Sequence, residues 1–355
     1  MRITGKFRKC LYLQFEGLRI DLFWREDKKQ SKFMKICIVG CGAIGSYYGA
    51  KLLKAGNETW FLLRSDFEKV SKDGVFIESV DGDFHVNPLS AKSPDEVGVC
   101  DAVFIGLKTT ANSQLKQLIT PLTDSHTIVV TLQNGLGNEE KLAEFLPVKN
   151  ILGGLCFVCL NRIRPGYIRH INGGDVSIGE YSGKAIDRTY QIANIFESVG
   201  IHCNVSDNLQ KAHWEKLIWN IPYNGLGVAA CAGYETVLNG SQVDFSNLNP
   251  CLPTDKIHAD KRWESLLIEL MKEVVSAGNN LGLQISESKI DYNISRTQDM
   301  GDYWASTLLD FKNRRPLELD SMFKIPLQVG KAAGTKMPHL ENMCCVLEQL
   351  ATLCN

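Results

Sequence analysis

The sequence contains no apolar run long enough to cross a bilayer. It carries no excess of either charge, with 39 Lys and Arg against 40 Asp and Glu over 355 residues. A chain this close to neutral has no global field to draw nucleic acid or an anionic membrane surface. It shows no internal repeat and no low-complexity tract, so its length is not that of a solenoid or a linker. Zinc spacing is missing too. Twelve cysteines are present, yet the one CxxC, Cys156 to Cys159, has no second Cys pair or His cluster to complete a metal site. It falls in a strand-like stretch, where positions three apart point to opposite faces. Several other cysteines lie inside apolar runs such as "KICIVGCG", as buried free thiols do in a reducing cytoplasm. A cytoplasmic protein without a metal is therefore expected.

What is present is an ordinary globular composition, 44% hydrophobic and 22% charged. A chain of this length exceeds one comfortable core, so two domains are expected. Residues 1–33 form a basic, mixed stretch without a small-residue cleavage site, read as a disordered extension or a mis-assigned start. At Met34 the texture changes. "KICIVG" predicts a buried parallel strand, "AIGSYYGAKLLKAGN" a helix stopped at Gly56, and "ETWFLLR" the next strand. "DGVFIESVDGDFHVNP" predicts a hairpin around Asp81-Gly82. "CDAVFIGLK" and "HTIVVTLQNG" predict two further buried strands, with "ANSQLKQLI" a helix between them and "NEEKLAEFL" a helix after. Residues 151–182 predict antiparallel strands with Gly and Pro turns, and a helix is expected over about 184–199. Beyond residue 206 only helices are expected. The plan is an α/β N-terminal domain over residues 34–207 and an all-α C-terminal domain over 208–355. Residues 238–257, rich in Asn, Ser and Pro, read as a loop or lid between helices.

"VGCGAIG" places Gly40, Gly42 and Gly45 in the GxGxxG spacing between a strand and a helix. The first glycine allows the tight turn, the second lets the backbone approach a pyrophosphate, and the third permits close helix–strand packing. The turn Gly40-Cys41-Gly42-Ala43-Ile44-Gly45 would present free N–H groups and the positive end of the helix to the phosphates. The end of the second strand selects the coenzyme: an acid there serves the ribose 2′-hydroxyl of NAD, an Arg the 2′-phosphate of NADP. "FLLRSD" offers Arg64, nineteen residues after Gly45, and bidentate geometry suits a guanidinium to phosphate. Asp66 leaves NAD open, but NADP is favoured. Lys108 and Asn134 both end strands, where a parallel sheet opens onto its ligand crevice, and are expected to contact coenzyme or substrate.

"EKLIWNIPYNGLG" is an apolar helix interrupted at four-residue intervals by Lys216, Asn220 and Asn224. Such residues share one helix face. Unpaired burial of an ammonium or amide costs several kcal/mol, so the stripe must face partners or a ligand cleft. An ammonium placed there can stabilise the charge that builds on a carbonyl oxygen under hydride attack, and can deliver a proton. The amides can hold a hydroxyl or carboxylate. The alternative is that Lys216 reaches solvent and the amides cap loops.

The glycine turn, Lys108, "LQNGLG", "WEKLIWNIPYNGL" and "STLLDFKNRRPLELD", in this order and spacing, resemble the ketopantoate reductase (2-dehydropantoate 2-reductase) family from Met34 almost to the C-terminus. The resemblance implies a Rossmann-type N-terminal domain with an all-α domain, the active site between them, and NADPH-dependent reduction of 2-dehydropantoate to (R)-pantoate, in pantothenate and coenzyme A biosynthesis. It implies Lys216 as catalytic general acid, and Glu318 as a catalytic glutamate that hydrogen-bonds the lysine or substrate and also meets the cofactor. It implies Asn134, Asn220, Asn224 and Ser306 as substrate contacts. Arg64, Lys108 and Asn134 are implied as cofactor contacts, and a homodimer is compatible with it. Four features depart from the family: Pro222 inside the key helix, expected to kink it and re-aim Asn224; Tyr303 where some members carry an amide; Ala111 where a glutamine is common; and a long 238–257 loop. These keep two other readings in play, a reductase of another 2-keto acid and a non-catalytic NADP(H)-sensing protein.

Overall fold

Strands run to Ser206, and from Leu209 only helices and their connections follow among the described residues. The structure, a computed structural model, describes residues 33–354. The expectations for residues 1–32 lie outside the described residues. Ten strands form one sheet: β1 (Lys35–Val39), β2 (Glu58–Leu62), β3 (Val75–Ser79), β4 (Phe84–Val86), β5 (Leu89–Ala91), β6 (Ala102–Ile105), β7 (Ile128–Thr131), β8 (Ile151–Arg164), β9 (Tyr167–Glu180) and β10 (Cys203–Ser206). Their order is β4-β3-β9-β8-β7-β6-β1-β2-β5, with β10 also on β9. Pairing is parallel except for β3–β4 and β8–β9. β6, β7 and all but the first residue of β1 are buried, as all-apolar parallel strands covered on both faces must be.

Helices α1 (Ala43–Lys54), α2 (Phe67–Asp73), α3 (Pro94–Val97), α4 (Leu115–Ile119), α5 (Asn138–Ala143) and α6 (Asp187–Glu197) alternate with the strands. From residue 209 the described chain is helical: α7 (Leu209–Ala229), α8 (Tyr234–Asn239), α9 (Thr254–Ala259), α10 (Lys261–Asn280), α11 (Ser288–Gln298), α12 (Ser306–Lys312), α13 (Ile325–Ala332) and α14 (Pro338–Ala351). The predicted strand–turn–helix order is therefore observed. The short edge strands β5 and β10 and helices α2, α3, α8, α9, α11 and α13 are additions the pattern did not predict.

The antiparallel strands expected over 151–182 are observed as one long hairpin, β8–β9, whose pairing slips at Phe157/Val158, at Cys159/Leu160 and at Arg162/Arg164. Such irregularities break strict alternation, and every residue from Cys156 to Ile163 borders the cleft described below. The 238–257 segment is no lid. It lies against α14, where Val243 N–H donates to Gln349 Oε1 (2.9 Å). Its last residues start α9, and none of it borders the cleft.

Helix α7 is the axis of the helical half. It is apolar on nearly all sides, with Leu217, Ile218, Ile221, Tyr223 and Leu226 buried, the signature of a helix surrounded by others. Its start is fixed by Asn208, whose side chain accepts from Lys211 N–H at 2.8 Å, a side-chain N-cap. Pro222, expected to kink it, lies within one unbroken helix.

The two halves meet tightly at the carboxyl ends of the strands. Leu136 N–H donates to Ser321 O (2.8 Å), and the Thr109 and Ser321 hydroxyls share a hydrogen bond of 2.8 Å. Gly135 makes this approach possible. Its φ is +87°, and a Cβ there would lie 2.3 Å from Ser321 O. Gly135→Ala should therefore destabilise the fold by about 1–3 kcal/mol, combining left-handed strain with a backbone clash. Urea unfolding measures it, and an unchanged midpoint would show that the contact is slack.

Candidate active site

The glycine turn after β1 has the three roles its spacing predicts. Gly40 adopts φ +93°, and a Cβ would strike Leu107 N at 2.4 Å. Gly45 packs so closely that its Cβ would meet Gly40 O at 2.2 Å. Gly42 is the opposite case: nothing lies within 4 Å of the Cβ it lacks. The N-terminus of α1 therefore opens onto free space that a side chain would obstruct, as a pyrophosphate cradle requires. Gly106, outside the GxGxxG motif, supplies the other wall, since a Cβ there would sit 2.9 Å from Gly40 O.

This cradle opens into a cleft of about 1450 Å³ that runs between the sheet edge and the helical half. Gly40, Gly42, Ala43, Ile44, Arg64, Lys108, Ala111, Asn134, Lys216, Asn220, Asn224, Tyr303, Ser306 and Glu318 all border it. Of the expected site residues, Cys41 and Gly45 do not. Cys41 turns its thiol back toward Ile38 O and Leu62 O, at 3.5 and 3.6 Å, and Gly45 is the packing glycine. The lining carries eight Lys and Arg against four Asp and Glu, a bias that suits an anionic ligand.

The polar stripe on α7 faces this cleft. Lys216 Nζ donates to Asn134 Oδ1 at 2.8 Å and lies 5.5 Å from the centre of the Phe157 ring. Burial lowers its pKa from 10.5 to about 8, partly offset by nearby Cys156. Asn134 is itself held from behind. Asn138 Nδ2 donates to Asn134 O (3.1 Å), Asn112 Nδ2 to Asn138 Oδ1 (3.2 Å), and Gln133 Nε2 to Asn112 Oδ1 (2.8 Å). Each partner fixes the next, so the loop after β7 arrives with its amide already oriented.

Asn224 and Ser306 form one unit. Asn224 Oδ1 accepts from Ser306 Oγ (3.1 Å) and from Thr307 N–H (3.0 Å). It thus caps the first turn of α12 from a neighbouring helix. This capping bond aims Asn224. Asn220 bonds no side chain among the described residues, yet the one buried side-chain atom without a partner there is Asp255 Oδ1. The Asn220 amide therefore opens to the cleft and is free for a ligand.

Of the two partners expected for Glu318, lysine or substrate, Lys216 is not bonded to it. Glu318 Oε1 accepts from Thr109 N–H at 2.7 Å, and its Oε2 stands 4.0 Å from Lys108 Nζ. Lys108 forms an ion pair with Asp310 of α12, a buried acid hidden in the apolar "STLLDFK" pattern. Burial and Arg315 lower the Lys108 pKa, against the pull of Glu318. These contacts pin the end of β6 to the helical half. At the far wall Trp219 and Tyr303 have ring centroids 6.1 Å apart. The Trp219 indole N–H is tied to Thr297 Oγ1 at 2.8 Å, and the Tyr303 hydroxyl lies against Cys159.

A glycine cradle at a strand–helix turn, joined in one cleft to a desolvated lysine and a row of amides, defines an oxidoreductase of the C=O/CH–OH class. Comparison with known proteins agrees. The family model described as ketopantoate reductase PanE/ApbA matches residues 36–183, and its C-terminal counterpart matches 251–351. A 2-dehydropantoate 2-reductase of Nostoc sp. is 39% identical over 325 residues, 90% of this chain and 95% of the relative. The crystal structure of 2-dehydropantoate 2-reductase from Geobacter metallireducens superposes with a TM-score of 0.80 at 38% identity, covering 88% of this chain and 99% of that one. A D-mandelate dehydrogenase solved with NADH and anilino(oxo)acetate shares the fold, at a TM-score of 0.76 and 20% identity. The chain belongs to the ketopantoate reductase family. The family models leave out residues 184–250, so Lys216 is placed in the cleft by the geometry above.

The lowered lysine has a consequence for stability. Between about pH 8 and 10.5 the unfolded chain holds a proton on Lys216 that the folded chain has lost, so stability rises with pH across that window. Below pH 8 the ammonium must be kept charged in the cleft. Lys216→Met should therefore be more stable than the wild type at pH 7, on the order of 1 kcal/mol, with the gain shrinking toward pH 10. Denaturant titrations at both pH values check this. A methionine variant less stable at pH 7 would mean that the ammonium is adequately solvated.

Proposed function

We propose that this chain reduces 2-dehydropantoate to (R)-pantoate with NADPH, the reaction for which its relatives are named. In this reading residues 34–207 hold the dinucleotide, and residues 208–355 supply the acid and the substrate contacts. The observation that carries it is the Lys216–Asn134 pair at 2.8 Å, in the same cleft as the unobstructed Gly42.

The coenzyme fits the residues present. The open N-terminus of α1 would hold the pyrophosphate, and Arg64, exposed at the cleft edge, the 2′-phosphate. When bound, it supplies the hydride. The protein supplies the rest. Asn134 holds the Lys216 ammonium in place at the carboxyl end of β7. Burial makes that ammonium a stronger acid than an exposed lysine, so near neutral pH it is still protonated yet ready to release its proton. It stabilises the charge growing on the C2 oxygen of the keto acid and then delivers the proton to it. The open amide of Asn220, with Asn224 and Ser306, holds the substrate's hydroxyl and carboxylate. Glu318 acts through Thr109 and Lys108, keeping the cleft closed around the reacting groups.

The aromatic wall favours a second reading, reduction of another branched 2-keto acid. Trp219 and Tyr303 have their polar atoms engaged elsewhere and so offer mainly apolar surface to the cleft. NADPH oxidation with 2-dehydropantoate, set beside a panel of 2-keto acids, separates the two. The highest kcat/KM is expected for 2-dehydropantoate. Lys216→Ala should lower kcat by about 10²–10⁴, the usual reach of general acid catalysis. Wild-type turnover in that variant would remove the assignment, and oxidation with no substrate of the panel would leave a coenzyme-binding protein without turnover.

A further inference from the structure

Asp66 is the residue that leaves NAD open in the sequence, an acid just past β2 and two positions after Arg64. A carboxylate placed there ordinarily takes the ribose 2′-hydroxyl. Here it is not available. Asp66 is 7% exposed, and Arg162 of the long strand β8 grips it with three hydrogen bonds: Nη2 to Oδ1 at 2.6 Å, Nη2 to Oδ2 at 2.7 Å, and Nε to Oδ2 at 3.1 Å. Ser65 Oγ adds a fourth, to Oδ1 at 3.0 Å. Both carboxylate oxygens are engaged, and Asp66 does not border the cleft.

Arg162 does border the cleft, together with Arg64. Its bonds to Asp66 use Nε and Nη2, and its Nη1 has no acceptor among the described residues. Arg64 likewise donates to no side chain among them. The strand end therefore presents two guanidiniums and no usable carboxylate to whatever occupies the adenosine end. A guanidinium is matched to phosphate oxygens by its planar fork and keeps its charge at any physiological pH.

We propose that Arg162 is a second coenzyme-selecting residue. By capturing Asp66 it removes the acceptor for a 2′-hydroxyl, and with Arg64 it forms a two-sided clamp for a 2′-phosphate. The inference rests on the NADPH reading above and goes beyond it, because it assigns selection to a residue on the antiparallel hairpin, 96 positions beyond Asp66 and far from the glycine motif. The competing view is that the Arg162–Asp66 pair only ties β8 to the start of α2.

Direct binding separates these views without turnover. Isothermal titration with 2′,5′-ADP and with 5′-AMP compares ligands that differ in the 2′-phosphate. Wild-type protein is expected to bind 2′,5′-ADP more tightly. Arg162→Leu should weaken 2′,5′-ADP by about 10- to 100-fold, the span of a hydrogen bond to a charged group, and preserve or strengthen 5′-AMP, because the released Asp66 can accept from its 2′-hydroxyl. Since that variant leaves Asp66 buried and unpaired, the double variant Arg162→Leu/Asp66→Asn is the safer arm. It should recover part of the 2′,5′-ADP affinity, having lost the uncovered carboxylate, and remain weaker than wild type. Unchanged 2′,5′-ADP binding in the double variant, or equal losses for both ligands, would overturn the inference and leave a structural tie. A wild type that does not distinguish the two ligands would overturn the NADPH reading itself, before any variant is made.

Discussion

One hydrogen bond joins the two halves of the chemistry: Lys216 Nζ to Asn134 Oδ1, 2.8 Å across the cleft. Lys216 belongs to the central helix of the helical half, and Asn134 to the loop that ends β7. An ammonium in low-dielectric surroundings needs an acceptor, and the amide provides one without neutralising the charge. A carboxylate in its place would raise the lysine pKa and weaken it as an acid. The cleft thus keeps a cation that is held but not quenched, and the rest of the architecture serves to keep it so.

That service is visible in the contacts around it. The network Gln133–Asn112–Asn138 fixes the Asn134 loop from the sheet side. The Lys108–Asp310 ion pair, the Thr109–Glu318 bond and the close approach at Gly135 fix the sheet edge to the helical half. Lys108 is nearly half exposed in its pair with the buried Asp310, so the pair adds little net stability and serves chiefly to hold the two elements together. Lys108 and Glu318 are therefore most simply understood as parts of the closure.

Much of this could be read from the residues. The alternation of apolar runs, glycine turns and helical periods gave the order of the main elements, because local backbone preferences and burial agree there. The four-residue spacing of Lys216, Asn220 and Asn224 placed them on one face, and the cost of burying them unpartnered pointed to a cleft. What stayed hidden depends on contacts distant in sequence. Nothing near Glu318 says that it meets Thr109, 209 residues away. Asp310 reads as an ordinary helix acid until Lys108 is brought to it. Asp66 looks like a ribose ligand until β8 delivers Arg162. The slips in the β8–β9 pairing leave no local signal in residue type. The composition of the 238–257 segment fits a loop or a lid equally, and its contact with α14, away from the cleft, decides for the loop.

The account stands on the state of one amine. Direct titration of Lys216, by ¹³C NMR of the selectively dimethylated lysines with Lys216→Arg to assign the signal, measures it without reference to turnover. The expected result is a midpoint near 8, well separated from the surface lysines. A midpoint with the bulk of them, near 10.5, would place the ammonium in water and contradict the mechanism derived from its position.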